Sequence, residues 1–319
     1  MKCLTGTKEF HIDEPTVVTI GKFDGKHRGH QKLLKTMVDI KRAKGLKVAV
    51  FTFSKVPAGV LKQENRTVIT TNEERENSLA AAGVDYLVEY PFTERIAHMP
   101  AEEFVSTVLV KEMNAKAVVA GTDCGFGYQR AGNIELLKKL APEWGYEVIV
   151  IEKEQEDHRD ISSTFIREEL SKGNIRKANE LLGEPYSIHG TVVHGNHIGG
   201  SVLGFPTANL IPPPEKHLPL FGVYVSQTVV DGRVYGGVTN IGRKPTVEGE
   251  FPVGVETFLF GLDEDIYGKK IEVRLLDFIR PEKKFGSLQE LKEQIERDKQ
   301  TSISILSSEE FDQSSEDKG

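Results

Sequence analysis

Apolar residues along this chain follow two rhythms, and the rhythm changes once. From Thr16 onward, short unbroken apolar runs alternate with stretches in which apolar residues recur every three or four positions. Val17, Val18 and Ile20 form the first run and predict a buried strand. Leu33, Leu34, Met37 and Val38 then share one face of a helix that opens at His27-Arg28-Gly29-His30 and stops at Gly45. The pairing repeats. Strands are predicted over 46–53, 84–88, 115–120 and 146–151, with helices after Asn72, over 101–113 and over 134–140. Two further helices, 164–171 and 175–182, end this half. Such alternation makes a parallel sheet with helices on both faces, a Rossmann-like α/β domain.

After Gly183-Glu184-Pro185 the helical period is lost. SIHGTVVHG, GVYVSQTVV, RVYGGVTNI, VETFLF and KIEVRLLDFI are strand-like runs broken by Gly and Pro, which predicts an antiparallel barrel or sandwich. One last helix carries Phe285, Leu288, Leu291 and Ile295 as its apolar stripe. Residues 302–319, rich in Ser, Asp and Glu, are expected to be disordered. The expected plan is 1–183, then 184–300, then a disordered tail over 301–319.

Composition narrows the function classes. At 319 residues the chain is long enough for two domains, and 38% hydrophobic with 28% charged residues is ordinary for a globular protein. A net charge of -7 argues against nucleic acid as the main partner. No apolar run is long enough to span a bilayer, and MKCLTGTKEFHIDEP has no signal-peptide core, so a cytoplasmic protein is expected. Two cysteines are too few for a disulfide framework or a cysteine-based zinc site.

Candidate chemistry concentrates at helix starts. A helix N-terminus carries partial positive charge, so His27, Arg28 and His30 crowded there are unfavourable unless an anion sits among them. Gly29 lets a ligand approach the backbone, and phosphates would suit the place. The bland alternative is a surface cap with incidental histidines. A metal held by His27 and His30 lacks a nearby third ligand. Ser162, Ser163 and Thr164 in ISSTFIR are good N-cap residues, and Arg167 just beyond them again opposes the helix dipole. Two basic helix starts, each following a parallel strand, would meet at the carboxyl edge of the sheet.

Together, HxGH and ISSTxxR are the signature of nucleotidylyltransferases, and TIGKFDGKHRGHQKLL with AGTDCGFG resembles the first module of bacterial bifunctional riboflavin kinase/FAD synthetases. The resemblance implies AMP transfer from ATP to FMN, giving FAD and pyrophosphate. It implies that His27 and His30 contact ATP phosphates, and that Ser163, Thr164 and Arg167 surround the β- and γ-phosphates. Gly21, Phe23 and Asp24 would shape the nucleotide pocket, and Asp123 would bind substrate. Departures from the pattern are Ser54-Lys55-Val56-Pro57 after the second strand, Cys124-Gly125, and Phe165.

In the second half, Pro206 fixes the chain while Thr207 and Asn209 place oxygen-bearing groups on one face of an extended segment. Taken alone this is a turn with surface polar residues. Glu256 lies in an apolar run and is ordinarily read as an outward-facing strand residue. Facing into the barrel, it would be basic enough to deprotonate a hydroxyl. The order HG, GFPTANL, NIGRKPT, VET, IYG and IRPEKKF is similar to the riboflavin kinase domain of the same family. That implies a Greek-key barrel, Thr207 and Asn209 as Mg²⁺ ligands, Glu256 as the base that activates the riboflavin hydroxyl, and Asn240 near the substrates. Gly200-Ser201 departs from the family, which often has Arg there. The expected protein makes FMN from riboflavin and FAD from FMN with ATP. Its rivals are a paralogue with one activity and a non-catalytic flavin-binding regulator.

Overall fold

The computed structural model describes residues 1–7, 9–54, 67–194, 206–243 and 253–316, with side chains to residue 308. The family departures at 55–57 and 200–201, and most of the glycine-rich 190–200 stretch, lie outside the described residues. The chain divides into two compact units, Met1–Ser163 and Thr164–Gly319.

The first unit is a parallel sheet in the order β1-β4-β3-β2-β5-β6. Its strands are β1 (Lys2–Thr5), β2 (Thr16–Ile20), β3 (Lys47–Phe53), β4 (Tyr86–Tyr90), β5 (Ala115–Gly121) and β6 (Glu147–Ile151). Adjacent residues divide between its two faces, as the strand period requires. Val17, Val48, Val50, Leu87, Ala117 and Val119 pack with Leu33, Leu34 and Met37 of α1 (Arg28–Lys44) and Leu79 of α2 (Asn72–Ala81). Val18, Ala49, Phe51, Val88 and Val118 pack on the other side with Phe104, Val108 and Leu109 and with Leu137 of the helix Ile134–Trp144. Both faces are therefore buried, which is why these strands read as continuous apolar runs.

Three details differ from the sequence pattern. The edge strand β1 has too little apolar character to be predicted and is recruited by parallel pairing with β4. The helix α2 is capped by Thr71 in a capping box with Glu74, one residue before Asn72. The predicted helix over 101–113 is α-helical only at Ala101–Glu103 and π-helical over Phe104–Glu112, although it buries the expected Phe104, Val105, Val108 and Leu109. Short helices are numbered with the rest in chain order: α3 (Glu94–Ala97), α4 (Ala101–Glu103) and α5 (Ile134–Trp144). A small hairpin, β7 (Gln155–Glu156) and β8 (Arg159–Asp160), closes the unit.

The second unit opens with α6 (Ser163–Lys172) and α7 (Ile175–Leu182). The sequence reading groups both with the α/β domain; from Thr164 onward they fall in the second unit, and α7 contacts the antiparallel sheet. Asn179 Nδ2 donates to the Leu275 carbonyl at 2.8 Å, and Arg176 pairs with Asp277 at 2.8 Å. The sheet contains β9 (Tyr186–Thr191), β10 (Thr207–Leu210), β11 (Gly222–Val230), β12 (Arg233–Arg243), β13 (Val253–Leu259) and β14 (Lys270–Pro281). Its order is β10-β13-β12-β11-β14-β9. The meander β11-β12-β13 is flanked by strands that are not its neighbours in sequence. An antiparallel bridge from Val193 to Asn209, with N···O of 2.8 Å, joins the two edges and closes the sheet.

The last helix, α8 (Leu288–Glu316), corrects the expected tail. It continues past residue 300 because polar contacts dock it. Asp298, 3% exposed, takes a forked pair from Arg280, and Ser302, fully buried, donates to the Gly237 carbonyl at 2.8 Å. Gly236 leaves room for Leu306, which would lie 2.7 Å from a Cβ there. Of the predicted apolar stripe, Leu288 is 55% exposed, while Phe285, Leu291 and Ile295 are half-buried.

Candidate active sites

In the first unit β2 lies between β3 and β5, and the chain turns from one side to the other there. This is the topological switch point, where such sheets have a crevice beyond their carboxyl ends. The loop from β2 to α1 enters it. Phe23 (φ 49°) and Gly25 (φ 68°) make the sharp turn, and the Phe23 ring closes over Gly21. The Asp24 carboxylate accepts from the Ile69 and Thr70 amides at 2.7 and 3.3 Å, while Gly25 N–H donates to Thr70 Oγ1 at 3.0 Å. Ser163 Oγ donates to the Asp24 carbonyl at 2.6 Å, which brings the start of the ISSTFIR motif onto the loop.

His27 is the N-cap of α1 but makes no side-chain cap bond, and the first turn has no acidic residue. Its ring stacks on His30 at 3.8 Å, and Phe23 lies 4.7 Å from His30. Burial, followed by the neighbouring His30, pushes the His27 pKa down to about 3. Burial pushes His30 to about 4, outweighing the Gly25 carbonyl and the charges of Asp24 and Asp123, which favour protonation. His30 Nδ1 lies 3.2 Å from the Gly25 carbonyl, so that nitrogen carries the proton. His27 Nδ1 is buried with no hydrogen-bond partner. Uncapped amides beside two half-buried imidazoles form a candidate cradle for an anion.

Not every expected residue faces this cradle. Arg28 is committed to Glu156 at 2.7 Å, and Lys32 to Glu154 at 2.7 Å. The basic crowding expected at this helix start is thus neutralised from the β6–β7 segment and hairpin. Asp123, on the loop after β5, is 68% exposed and lies 3.3 Å from Lys153, which also binds Asp160 at 2.8 Å. Thr70 is a loop-shaping residue that sequence reasoning missed. No spacing rule links it to Asp24, 46 positions away. Thr164 and Arg167 lie in the first half of α6, in the second unit.

In the second unit, strand register assembles the candidates. Asn209 on β10 pairs directly with Glu256 on β13, and Glu256 pairs with Asn240 on β12. Directly paired residues share a face, so Asn209, Glu256 and Asn240 form one cross-strand row, with Thr207 two residues along from Asn209. Val255 and Thr257 are buried on the opposite face, where Thr239 Oγ1 bonds Ser226 Oγ at 2.7 Å and Thr257 Oγ1 at 2.9 Å. Glu256 therefore lies on the face opposite Val255 and Thr257 and is half-buried. Asn209 is 3% exposed and its amide donates to the Thr207 carbonyl at 3.1 Å. A second carboxylate that the sequence did not single out, Glu282, sits against Gly242 where a Cβ would point, and burial raises its pKa. Among the described residues no three His, Cys, Asp or Glu side chains form a metal cluster.

These features define a two-module protein, with an α/β nucleotide-binding unit followed by a closed antiparallel sheet. Residues 9–165 match the family model described as FAD synthetase, and residues 182–306 match that described as riboflavin kinase. An Escherichia coli (strain K12) protein named bifunctional riboflavin kinase/FMN adenylyltransferase is 39% identical, covering 90% of this chain and 92% of that protein. Its Bacillus subtilis (strain 168) namesake is 36% identical, covering 94% and 98%. The chain belongs to the bifunctional riboflavin kinase/FMN adenylyltransferase family. A solved structure titled macrolide-efflux protein, from Streptococcus pneumoniae, is 33% identical with a TM-score of 0.84, covering 95% of this chain and 98% of that one. Among the described residues here, no helix is long and apolar enough to cross a membrane.

Proposed function

We propose that this chain phosphorylates riboflavin to FMN in its barrel unit and adenylylates FMN to FAD in its parallel-sheet unit, using ATP for both, in the cytoplasm. The observation that carries the reading is that both modules are matched, in order, by bifunctional relatives over nine-tenths of the chain. The two candidate sites suit two different phosphorus chemistries.

For the kinase step, the riboflavin hydroxyl oxygen attacks the γ-phosphorus of ATP, the bond to the ADP oxygen breaks, and the hydroxyl proton passes to Glu256. The position of Glu256 beside Asn209 and Asn240 supports this role. Thr207 and Asn209 would hold Mg²⁺, since neutral oxygen donors on one face suit a hard cation that keeps water and phosphate ligands. Bound there, Mg²⁺ neutralises phosphate charge. The anchored amide of Asn209 orients its side chain, and Asn240 positions the substrates.

For the adenylyl step, a phosphate oxygen of FMN attacks the α-phosphorus of ATP, and pyrophosphate leaves. Such transfer needs positioning and charge stabilisation rather than a covalent nucleophile. His27 and His30 receive the phosphates, and the arriving negative charge favours their protonated forms. Ser163, Thr164 and Arg167 act around the β- and γ-phosphates, and Asp123 contributes on the substrate side. Gly21, Phe23 and Asp24 shape the nucleotide pocket, Asp24 through its hold on Ile69 and Thr70.

Paired variants test the division of labour. Glu256→Gln should lower FMN formation from riboflavin by about 100-fold or more, the scale of general-base loss, while supplied FMN is still adenylylated. His30→Asn should do the reverse. Equal loss of both activities in either variant would sink the assignment of separate sites.

A further inference from the structure

Helix α6 carries Arg167, and beyond Ser163 it is held by contacts within its own unit. His217 lies between β10 and β11, and its Nε2 sits 3.2 Å from the Arg167 carbonyl and 3.1 Å from Ser171 Oγ. A carbonyl only accepts, so Nε2 carries the proton and donates. Ser171 is one helical turn beyond Arg167, so His217 holds a single edge of α6. Three residues further on, Leu220 N–H donates to the Leu170 carbonyl at 2.9 Å. Gly173 (φ 80°) lets Leu220 close on the helix end, where a Cβ would come within 3.1 Å of its side chain.

The clasp is itself supported by the barrel. Tyr186 Oη donates to the His217 carbonyl at 2.5 Å, and Tyr224 Oη donates to that of Leu220. Lys216, only 4% exposed, donates to the Ser187 carbonyl at 2.8 Å and lies 4.7 Å over the Tyr186 ring. A buried lysine on a carbonyl and an aromatic face marks a rigid segment rather than a loose connection.

We infer that His217 is a positioning residue for FMN adenylylation: it fixes the turn of α6 that carries Arg167. The inference rests on the reading of Arg167 as a residue that acts on ATP phosphates. It makes the second reaction, and not the first, depend on His217.

The full-length chain allows a direct test, because its kinase rate reports whether the barrel unit is intact. Initial rates of FAD formation from FMN would be measured against ATP concentration for Arg167→Ala, His217→Ala and His217→Gln. Total FMN plus FAD made from riboflavin would be followed in parallel. His217→Ala should raise KM for ATP in adenylylation and lower kcat/KM by about tenfold, the scale of one hydrogen bond, with the kinase rate unchanged. His217→Gln keeps a donor and should recover to within about threefold of wild type. Full adenylylation in His217→Ala, alongside a damaged Arg167→Ala, would overturn the inference while leaving the Arg167 reading intact. Loss of both activities without rescue by Gln would also overturn it, by making His217 a general folding residue. A fully active Arg167→Ala would remove the reading on which the inference stands.

Discussion

Two half-buried histidines whose pKa values are lowered in the folded unit make its stability fall with acid. His27 and His30 have pKa values of about 3 and about 4 in the folded chain, against an ordinary value of 6.5 once unfolded. Between pH 7 and pH 5 the two imidazoles therefore take up more protons in the unfolded chain, where they become almost fully protonated, than in the folded chain, where they stay almost unprotonated. Stability is fully present above the unfolded pKa and is lost as pH falls toward the folded values. Over that window each histidine removes about 2 kcal/mol, or about 4 kcal/mol for the pair. Replacing both with Asn, which does not titrate, should abolish that part of the slope. Trp144 is the chain's single tryptophan and lies on α5, so its fluorescence in a denaturant titration reports the parallel-sheet unit. Wild type and His27→Asn/His30→Asn would be compared at pH 7 and pH 5. Carboxylate titration is common to both, so only the difference in slope matters. An equal loss in the two proteins would refute the argument that these imidazoles are buried without charge.

Two further predictions concern the barrel unit. Asp298→Ala strands Arg280 without its buried partner and should cost about 3–5 kcal/mol of stability, measurable as an earlier far-UV transition in urea; a change under about 1 kcal/mol would mean the pair does not hold α8. Gly237→Ala would put a Cβ 2.5 Å from the Phe258 carbonyl, a backbone atom that cannot swing aside. It should destabilise the unit by about 1–3 kcal/mol, read from the same transition.

Much of the architecture was legible because burial on both faces leaves a strong trace. The unbroken runs of β2, β3 and β5 and the 3.6-residue stripe of α1 reflect contacts that each element must make. What escaped the sequence depends on polar or backbone contacts with no period. α8 docks through Asp298 and Ser302, two residues whose types ordinarily signal solvent, and so its extension looked like a disordered tail. The edge strand β1 is held by backbone pairing, to which its side chains contribute little. The same division runs through the sites. Motif spacing brought out His27, His30, Asn209 and Glu256, but only register shows that Asn209, Glu256 and Asn240 form one row. Thr70 and His217 make hydrogen bonds to residues distant in sequence, and no local pattern announces them.

On the proposed assignment, the histidine cradle and the cross-strand row divide two chemistries within one chain. The kinase makes the FMN that the adenylyl site consumes, so a single vessel can reveal both. The most direct test is a time course of the purified protein with riboflavin, ATP and Mg²⁺, with the flavins separated by chromatography. The account predicts that FMN appears first and FAD follows at its expense, with pyrophosphate released in step with FAD. FMN that accumulates and is never converted, or riboflavin that stays unchanged while added FMN becomes FAD, would contradict the claim that both sites are active.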